Sequence, residues 1–290
     1  MIRVGVAGWD YPDWAGVVYP AAVGRGFDRL AWIARFVDVI EVNSSFYRPV
    51  VPRTADSWVA RTAGFADFRF TAKTHRSWTH EPDADLERAV PETLSGLRPL
   101  HEAERLGALL VQFPQSFHYT TEATDRIERL VERTEGWPVS VEVRHASWEA
   151  EEATDRLRDL GAGWCAVDQP SVGRSVARVL PRVTGPVGYL RLHGRNTADW
   201  FRPDAGRDAR YDYLYSKGEL GELAGPVREM ASATAEMYVI QNNHFRGQAL
   251  ANALQMKRLV GDAPPEAPEE LVAAYPALEP DVRVQRRRLF

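Results

Sequence analysis

Short apolar runs recur along the chain, separated by stretches of a different period. Eight of them read as strands: residues 3–7, 39–43, 68–73, 108–113, 139–143, 163–167, 188–192 and 237–241. Between them, FDRLAWIARFV (27–37) and the segments around 88–106, 122–135, 149–160, 219–232 and 247–260 repeat their apolar residues with the helical period. Gly107 and Gly161 stand where a helix is expected to stop before a strand. Strands that alternate with helices run parallel. Eight such units in about 250 residues predict an α/β fold of the TIM (β/α)8 type. An open doubly wound sheet would need a glycine-rich phosphate loop after its first strand, and AGWDYPDW is not one. The expected organisation is one domain over 1–290, with the barrel at about 3–260 and a C-terminal extension over 261–290.

Two connections break the alternation. Residues 168–185 carry no clear amphipathic helix, and GRNTADWFRPDAGRDARYDYLYS (194–216) is polar and aromatic. The second is an aromatic-rich insertion between strands seven and eight, placed where a binding loop or a packed cover over the barrel mouth would lie.

Parity along the strands adds chemistry to the outline. In SVEVRH (140–145), valines alternate with Ser140, Glu142 and Arg144; Glu41 and Asn43 alternate with Ile40 and Val42, and Arg191 and His193 with Leu190 and Leu192. Successive side chains point to opposite faces of a strand. The apolar parity is therefore expected under the helices, and the polar parity at the barrel axis near the carboxyl ends of the strands, where TIM barrels build their sites.

Composition narrows the class of protein. The 290 residues carry a net charge of -4, with 44% hydrophobic and 26% charged residues, and the pI is near 6.0. That balance does not suggest a general nucleic-acid coat, while it leaves room for a local basic patch. The single cysteine, Cys165, lies in an apolar run and excludes an internal disulfide and a cysteine-built zinc site. The first residues resemble neither a signal nor a transit peptide, and no run approaches the ~20 apolar residues of a membrane span, so a cytoplasmic protein is expected. The basic tail RVQRRRLF reads as a solvated end.

The strand ends supply the candidate site. Glu41, Glu142, Asp168 and His193 are the expected acid/base residues. Asn43, Tyr47, Lys73, His75, Gln112, Arg144, Trp148, Arg191, Asn242 and Asn243 are expected to hold the substrate. His80 and His244 read as packing histidines, Tyr213 and Tyr215 as pocket wall or loop packing, and Arg48, Arg195 and Arg246 as further inward cations. Taken singly, Glu142 with Arg144 or Glu41 with Lys73 reads equally well as a buried structural ion pair.

The motifs AGWDYPDWAGVVYP, EVNSSFYRPV, FTAKTHRSWTH, LGALLVQFPQSF, VEVRHASW, YLRLHGRN, YDYLYS and NNHFRGQALANA occur in that order. Together they resemble the YecE-like family, domain of unknown function 72, from about residue 3 to residue 260. The resemblance implies a TIM barrel and brings no established reaction with it. The likeness of that barrel to endonuclease IV and to sugar isomerases is one of fold.

The excess of cations at the expected mouth suits a phosphate or carboxylate, because arginine forks pair bidentately with such oxyanions. The expected function is that of an enzyme acting on an anionic small molecule or a nucleic-acid phosphodiester. Glu142 or Glu41 would be acid or base, His193 a second proton carrier, and Arg144, Arg191 and Lys73 the stabilisers of negative charge. This predicts that Arg144 and Arg191 keep free guanidinium donors. A glycosidase using Glu41 and Glu142 is the second reading, and it needs an open cleft between the two carboxylates. A non-catalytic barrel that holds a ligand or protein partner is the third. No cofactor is expected; a divalent metal on Glu41, Glu142, Asp168 and His193 is the lesser alternative, because neighbouring arginines and lysine compete for the carboxylates.

Overall fold

A computed structural model of the chain describes residues 1–198, 202, 206–261 and 263–285. Eight strands close into a parallel barrel in chain order: β1 (Ile2–Ala7), β2 (Val39–Val42), β3 (Arg69–Lys73), β4 (Leu106–Gln112), β5 (Val139–Glu142), β6 (Gly163–Asp168), β7 (Val187–Leu192) and β8 (Glu236–Gln241). The last strand pairs with the first, so the sheet has no edge. The fold is a TIM barrel, as the spacing predicts. Around it run α1 (Arg29–Ile33), α2 (Pro52–Arg61), α3 (Leu86–Glu102), α4 (Thr121–Glu132), α5 (Glu151–Asp159), α6 (Arg207–Arg210), α7 (Lys217–Ser232) and α8 (Gln248–Val260). Residues 169–186 cross from β6 to β7 without a helix. Past α8, β9 (Glu266–Pro268), α9 (Glu269–Ala274) and β10 (Arg283–Gln285) complete the described chain, with β9 and β10 paired as a separate parallel ribbon.

Helix starts follow side-chain chemistry. Asp28, Asp85, Thr120 and Ser216 each accept a bond from a backbone N–H of the first turn, and Ser216 with Glu219 forms a reciprocal capping box. Helix α2 is absent from the periodic segments above; Pro52 opens it, and only Ala55 and Trp58 are buried on its inner face. The segment at 27–37 yields only five helical residues. Gly161 ends α5 with a φ of 67°, as expected. Gly107 does not end α3: it lies inside β4, where a Cβ would stand 2.1 Å from the Tyr238 hydroxyl. The turn that ends α3 contains Glu104, at a φ of 55°.

Two cores divide by strand parity. Ala7, Val39, Ala108, Leu110, Cys165, Val167, Tyr189, Tyr238 and Ile240 belong to the core inside the barrel. Val6, Ile40, Val42, Ala72, Trp164, Ala166, Leu190 and Leu192 belong to the layer between barrel and helices. Arg3, paired with Glu236 at 2.7 Å and 4% exposed in its side chain, plugs the amino-terminal end. Most inward rows therefore run from apolar residues at mid-barrel to polar residues at the carboxyl end, as in Val39 to Glu41 and Tyr189 to Arg191. Among the described residues, no helix is long and apolar enough to cross a membrane.

Candidate active site at the barrel mouth

The inward row of β7 is Tyr189, Arg191 and His193, and Arg191 organises everything around it. Its Nε and Nη2 donate to Glu41 Oε2 and Oε1 at 3.0 and 2.7 Å, and its Nη1 donates to Glu142 Oε2 at 2.6 Å. Tyr189 donates to Glu41 at 2.8 Å and lies 2.7 Å from the Thr71 hydroxyl. Arg144 Nε donates to Glu142 Oε1 at 2.7 Å. Glu41 and Glu142 are fully buried. Burial alone raises the Glu142 carboxyl, but Arg191 and Arg144 outweigh it and hold the group well below the usual carboxylate range. Glu142 is consequently a fixed anion, without a proton to give near neutral pH.

Two expectations change here. Arg191 was expected to offer free donors to an oxyanion, yet all three of its guanidinium nitrogens bind Glu41 and Glu142. Glu41 and Glu142 were expected at the wall of the site, but the cleft above them is lined by neither. The physical reason is the same in both cases: two buried carboxylates need a shared cation, and the planar fork of Arg191 bridges them.

His193 is fully buried beside this cluster. Its Nε2 lies 3.6 Å from Glu142 Oε1 and 3.3 Å from Arg144 Nη2, and its Nδ1 lies 2.9 Å from Asn242 Nδ2. Burial, with Arg144 and Arg191 nearby, depresses its pKa to about 3, so the ring is neutral. Asp168 stands apart. It shares parity with Trp164 and Ala166, the outward row of β6, and takes a forked bond from Arg195 at 2.8–3.2 Å and a bond from the Tyr215 hydroxyl at 2.7 Å. Arg195 also reaches Glu219 at 3.0 Å, and the Tyr215 hydroxyl accepts from Gly194 N–H, so this cluster ties the insertion to α7.

Above the clamp opens a cleft of about 560 Å³. Lys73, Gln112, Arg144, Asn43 and Asn242 reach it from the inward rows, and Tyr47, 71% exposed, stands at its rim. Arg191 touches it from below. The Asn43 Oδ1 atom is buried and finds no partner among the described residues. No aspartate or glutamate lines the cleft among the described residues. Lys73 Nζ lies 3.7 Å over the Phe46 ring. Burial, followed by the nearness of Arg191, lowers its pKa to about 7 against the pull of Glu142.

Three expected ligand-binding residues lie elsewhere. His75 caps the short turn after β3, its Nδ1 accepting from Ser77 N–H at 3.3 Å. Trp148 is buried behind β5, where its indole N–H donates to Phe117 O at 2.8 Å. Asn243, on the outward parity of β8, donates to Tyr213 O and Asn252 Oδ1 at 2.7 and 2.8 Å. Tyr213 and Tyr215 pack at 5.1 Å and bond to Glu219 and Asp168, which makes them loop packing.

Sequence reasoning passed over Tyr11, Phe46, Gln115, Arg210 and Tyr211 and set His80 and His244 aside as packing residues, and all seven line the cleft. His80 is held neutral at about 4 by burial and by Lys73. His244 stacks on Tyr11, with ring centres 4.5 Å apart. These residues come from loops after the strands, where parity gives no signal. Arg210 and Tyr211 lie within the insertion read as a binding loop or a packed cover, and residues 199–201 and 203–205 of it are outside the described part of the structure. Among the described residues, no three His, Cys, Asp or Glu side chains are grouped so as to hold a metal ion.

A family model described as "Protein of unknown function DUF72" matches residues 3–274. This chain belongs to the DUF72 family. A DUF72 family protein from Thermotoga maritima MSB8 is 33% identical and superposes with a TM-score of 0.78, covering 90% of this chain and 99% of the other. One from Enterococcus faecalis V583 is 26% identical, also at 0.78, covering 90% and 95%. The UPF0759 protein YunF of Bacillus subtilis (strain 168) is 26% identical over 273 residues, 90% of this chain and 95% of that protein. The matched span of the DUF72 chain includes every strand of the barrel and every residue that lines its cleft.

Proposed function

We propose that this DUF72 barrel is an enzyme for a small phosphorylated or carboxylated substrate, bound in the mouth cleft. The observation that carries the proposal is the charge of the cleft wall: Lys73, Arg144, Arg191 and Arg210 line it, and among the described residues no carboxylate does. Each guanidinium nitrogen of Arg191 already donates to Glu41 or Glu142 below, so the oxyanion falls chiefly to Arg144 and Arg210. Among the described residues the Nε atom of Arg210 is buried without a partner and Arg144 makes no hydrogen bond through its Nη1. Asn43 and Asn242 add polar contacts for neutral substrate atoms. Proton transfer falls to Lys73, the group in the cleft whose pKa lies near neutrality. Glu41, Glu142 and His193 then act as a rigid support that fixes Arg144 and the field around Lys73.

A glycosidase mechanism is disfavoured, because a guanidinium occupies the space between Glu41 and Glu142 where a glycosidic bond and water would have to fit. A cleft of this volume suits a small ligand, within the ~300–1,000 Å³ range of such sites, better than a duplex. The test is a calorimetric titration of matched pairs: glucose 6-phosphate with glucose, 3-phosphoglycerate with glycerate, AMP with adenosine, and a short single-stranded oligonucleotide. Anionic members are expected to bind, with Arg210→Gln weakening them about tenfold or more, the value of one charged hydrogen bond. Equal binding of the neutral partners overturns the reading. Tight binding confined to the oligonucleotide reassigns the substrate class.

A further inference from the structure

The mouth cleft contains one basic residue that is not an arginine, in a chain that scarcely uses lysine. Lys73, Lys217 and Lys257 are the only lysines among 36 basic residues. Lys217 and Lys257 serve as ordinary cations, each 2.7 Å from an aspartate, Asp281 and Asp38 respectively. Lys73 has no such partner: among the described residues its Nζ makes no ion pair and no hydrogen bond, only the contact with the Phe46 ring. Arginine carries a permanent charge and would bind an oxyanion more firmly. What lysine alone offers at this position is an amine that can lose its proton and attack.

We propose that Lys73 is the nucleophile of this site, adding to the carbonyl carbon of an aldehyde or ketone that also bears a phosphate or carboxylate. The inference rests on the anionic-substrate reading above and names the reactive group that such a substrate must carry. The groups that face the amine are set for this chemistry. Arg191 from β7 and Arg144 from the end of β5 oppose its protonation, while Glu142 and Glu41 favour it; His80, a few residues on, is neutral. Both carboxylates are tied to Arg191 and Glu142 also to Arg144, which leaves neither to hold the ammonium in an ion pair. Burial and the two arginines prevail, and the amine titrates at about 7.

In the addition, the Nζ lone pair forms the C–N bond as the carbonyl π pair moves to oxygen. A proton passes from nitrogen to that oxygen, giving a carbinolamine. A proton taken up from solvent then reaches the carbinolamine hydroxyl, the C–O bond breaks as water leaves, and the nitrogen lone pair closes the C=N bond of a protonated Schiff base on Lys73. Such an adduct withdraws electrons from the neighbouring carbon, which suits reactions that make or break a bond next to a carbonyl.

Two measurements on the full chain test this. In the first, trace acetic anhydride at pH 7.5 labels the amines, and peptide mass spectrometry compares the three lysines. Lys73 is expected to react at least on the order of tenfold faster than Lys217 or Lys257, because its amine is largely neutral at that pH and is held in no ion pair among the described residues. Reactivity at or below theirs overturns the proposal. In the second, glyceraldehyde 3-phosphate or glyceraldehyde is added with sodium cyanoborohydride, which reduces the imine to a stable secondary amine. The adduct is expected on Lys73, absent from Lys73→Arg, retained in the Lys217→Arg, Lys257→Arg double variant, and reduced by inorganic phosphate. If glyceraldehyde is trapped as well as its phosphate, the nucleophile stands and the anionic-substrate reading fails. If phosphate slows acetylation of Lys73 but neither aldehyde is trapped there, the anion site stands and the Schiff base is overturned.

Discussion

Replacing Arg191 with methionine separates a structural clamp from a catalytic arginine. Methionine keeps most of the volume and removes the charge. Glu142 retains Arg144, at 2.7 Å, but Glu41 is left with the Tyr189 hydroxyl as its side-chain partner. Both carboxylates are fully buried, and the arginine side chain is 3% exposed, so water does not take its place. Breaking a buried pair by deleting one partner costs about 3–5 kcal/mol, most of it the stranded charge. For a chain of this length that lowers the melting temperature by roughly 5–10 °C. The assay is equilibrium urea unfolding followed by tryptophan fluorescence. The double variant Arg191→Met, Glu41→Gln removes the stranded charge and is expected to recover about 1–3 kcal/mol of the loss as coupling energy. A single variant within about 1 kcal/mol of the parent, or a double variant no better than the single one, refutes the clamp.

Other consequences concern separate parts of the molecule. Wild-type stability is expected to rise with pH from about 7 towards 10 relative to Lys73→Met, by up to ~1.4 kcal/mol per pH unit, because the unfolded chain holds the Lys73 proton in that window and the folded one does not. Unfolding curves at pH 6, 8 and 9 measure it, and a flat difference contradicts the buried amine. Asp168→Asn is expected to destabilise by about 3 kcal/mol through loss of the forked Arg195 contact while leaving phosphate affinity unchanged; a selective loss of affinity would place Asp168 in the site. Gly107→Ala is expected to cost about 1–3 kcal/mol by forcing the Tyr238 ring aside, read from the urea midpoint; a neutral result would mean that the barrel floor yields.

The barrel was legible because each strand is a separate apolar run and the intervals match one helix each. Parity then identified the inward rows, and it explains both successes and misses. Glu41, Glu142, Arg144, Arg191 and His193 lie on rows shared with Val39, Ser140 and Tyr189, and they meet at the axis. Asp168 and Asn243 lie on the opposite rows, one residue out of phase, and bond to the loop beneath α7 and to α8 instead. What parity does not carry is which polar group satisfies which. Four charges converging at one depth must pair before any ligand arrives, and Arg191 satisfies two carboxylates at once. Loop residues such as Phe46, Arg210 and Tyr211 were illegible for a different reason. Their direction is set by the path of the chain after the strand, which has no sequence period.

The central claim is that the mouth of this DUF72 barrel holds an oxyanion beside Lys73, against a wall that carries no carboxylate among the described residues. A crystal of the full chain soaked in inorganic phosphate tests it directly. Density is predicted in the cleft within ~2.7–3.0 Å of the guanidinium nitrogens of Arg144 and Arg210, with Glu41, Glu142 and Arg191 unmoved below it. Phosphate bound elsewhere while the mouth stays empty, or Arg144 leaving Glu142 to reach it, would contradict the account.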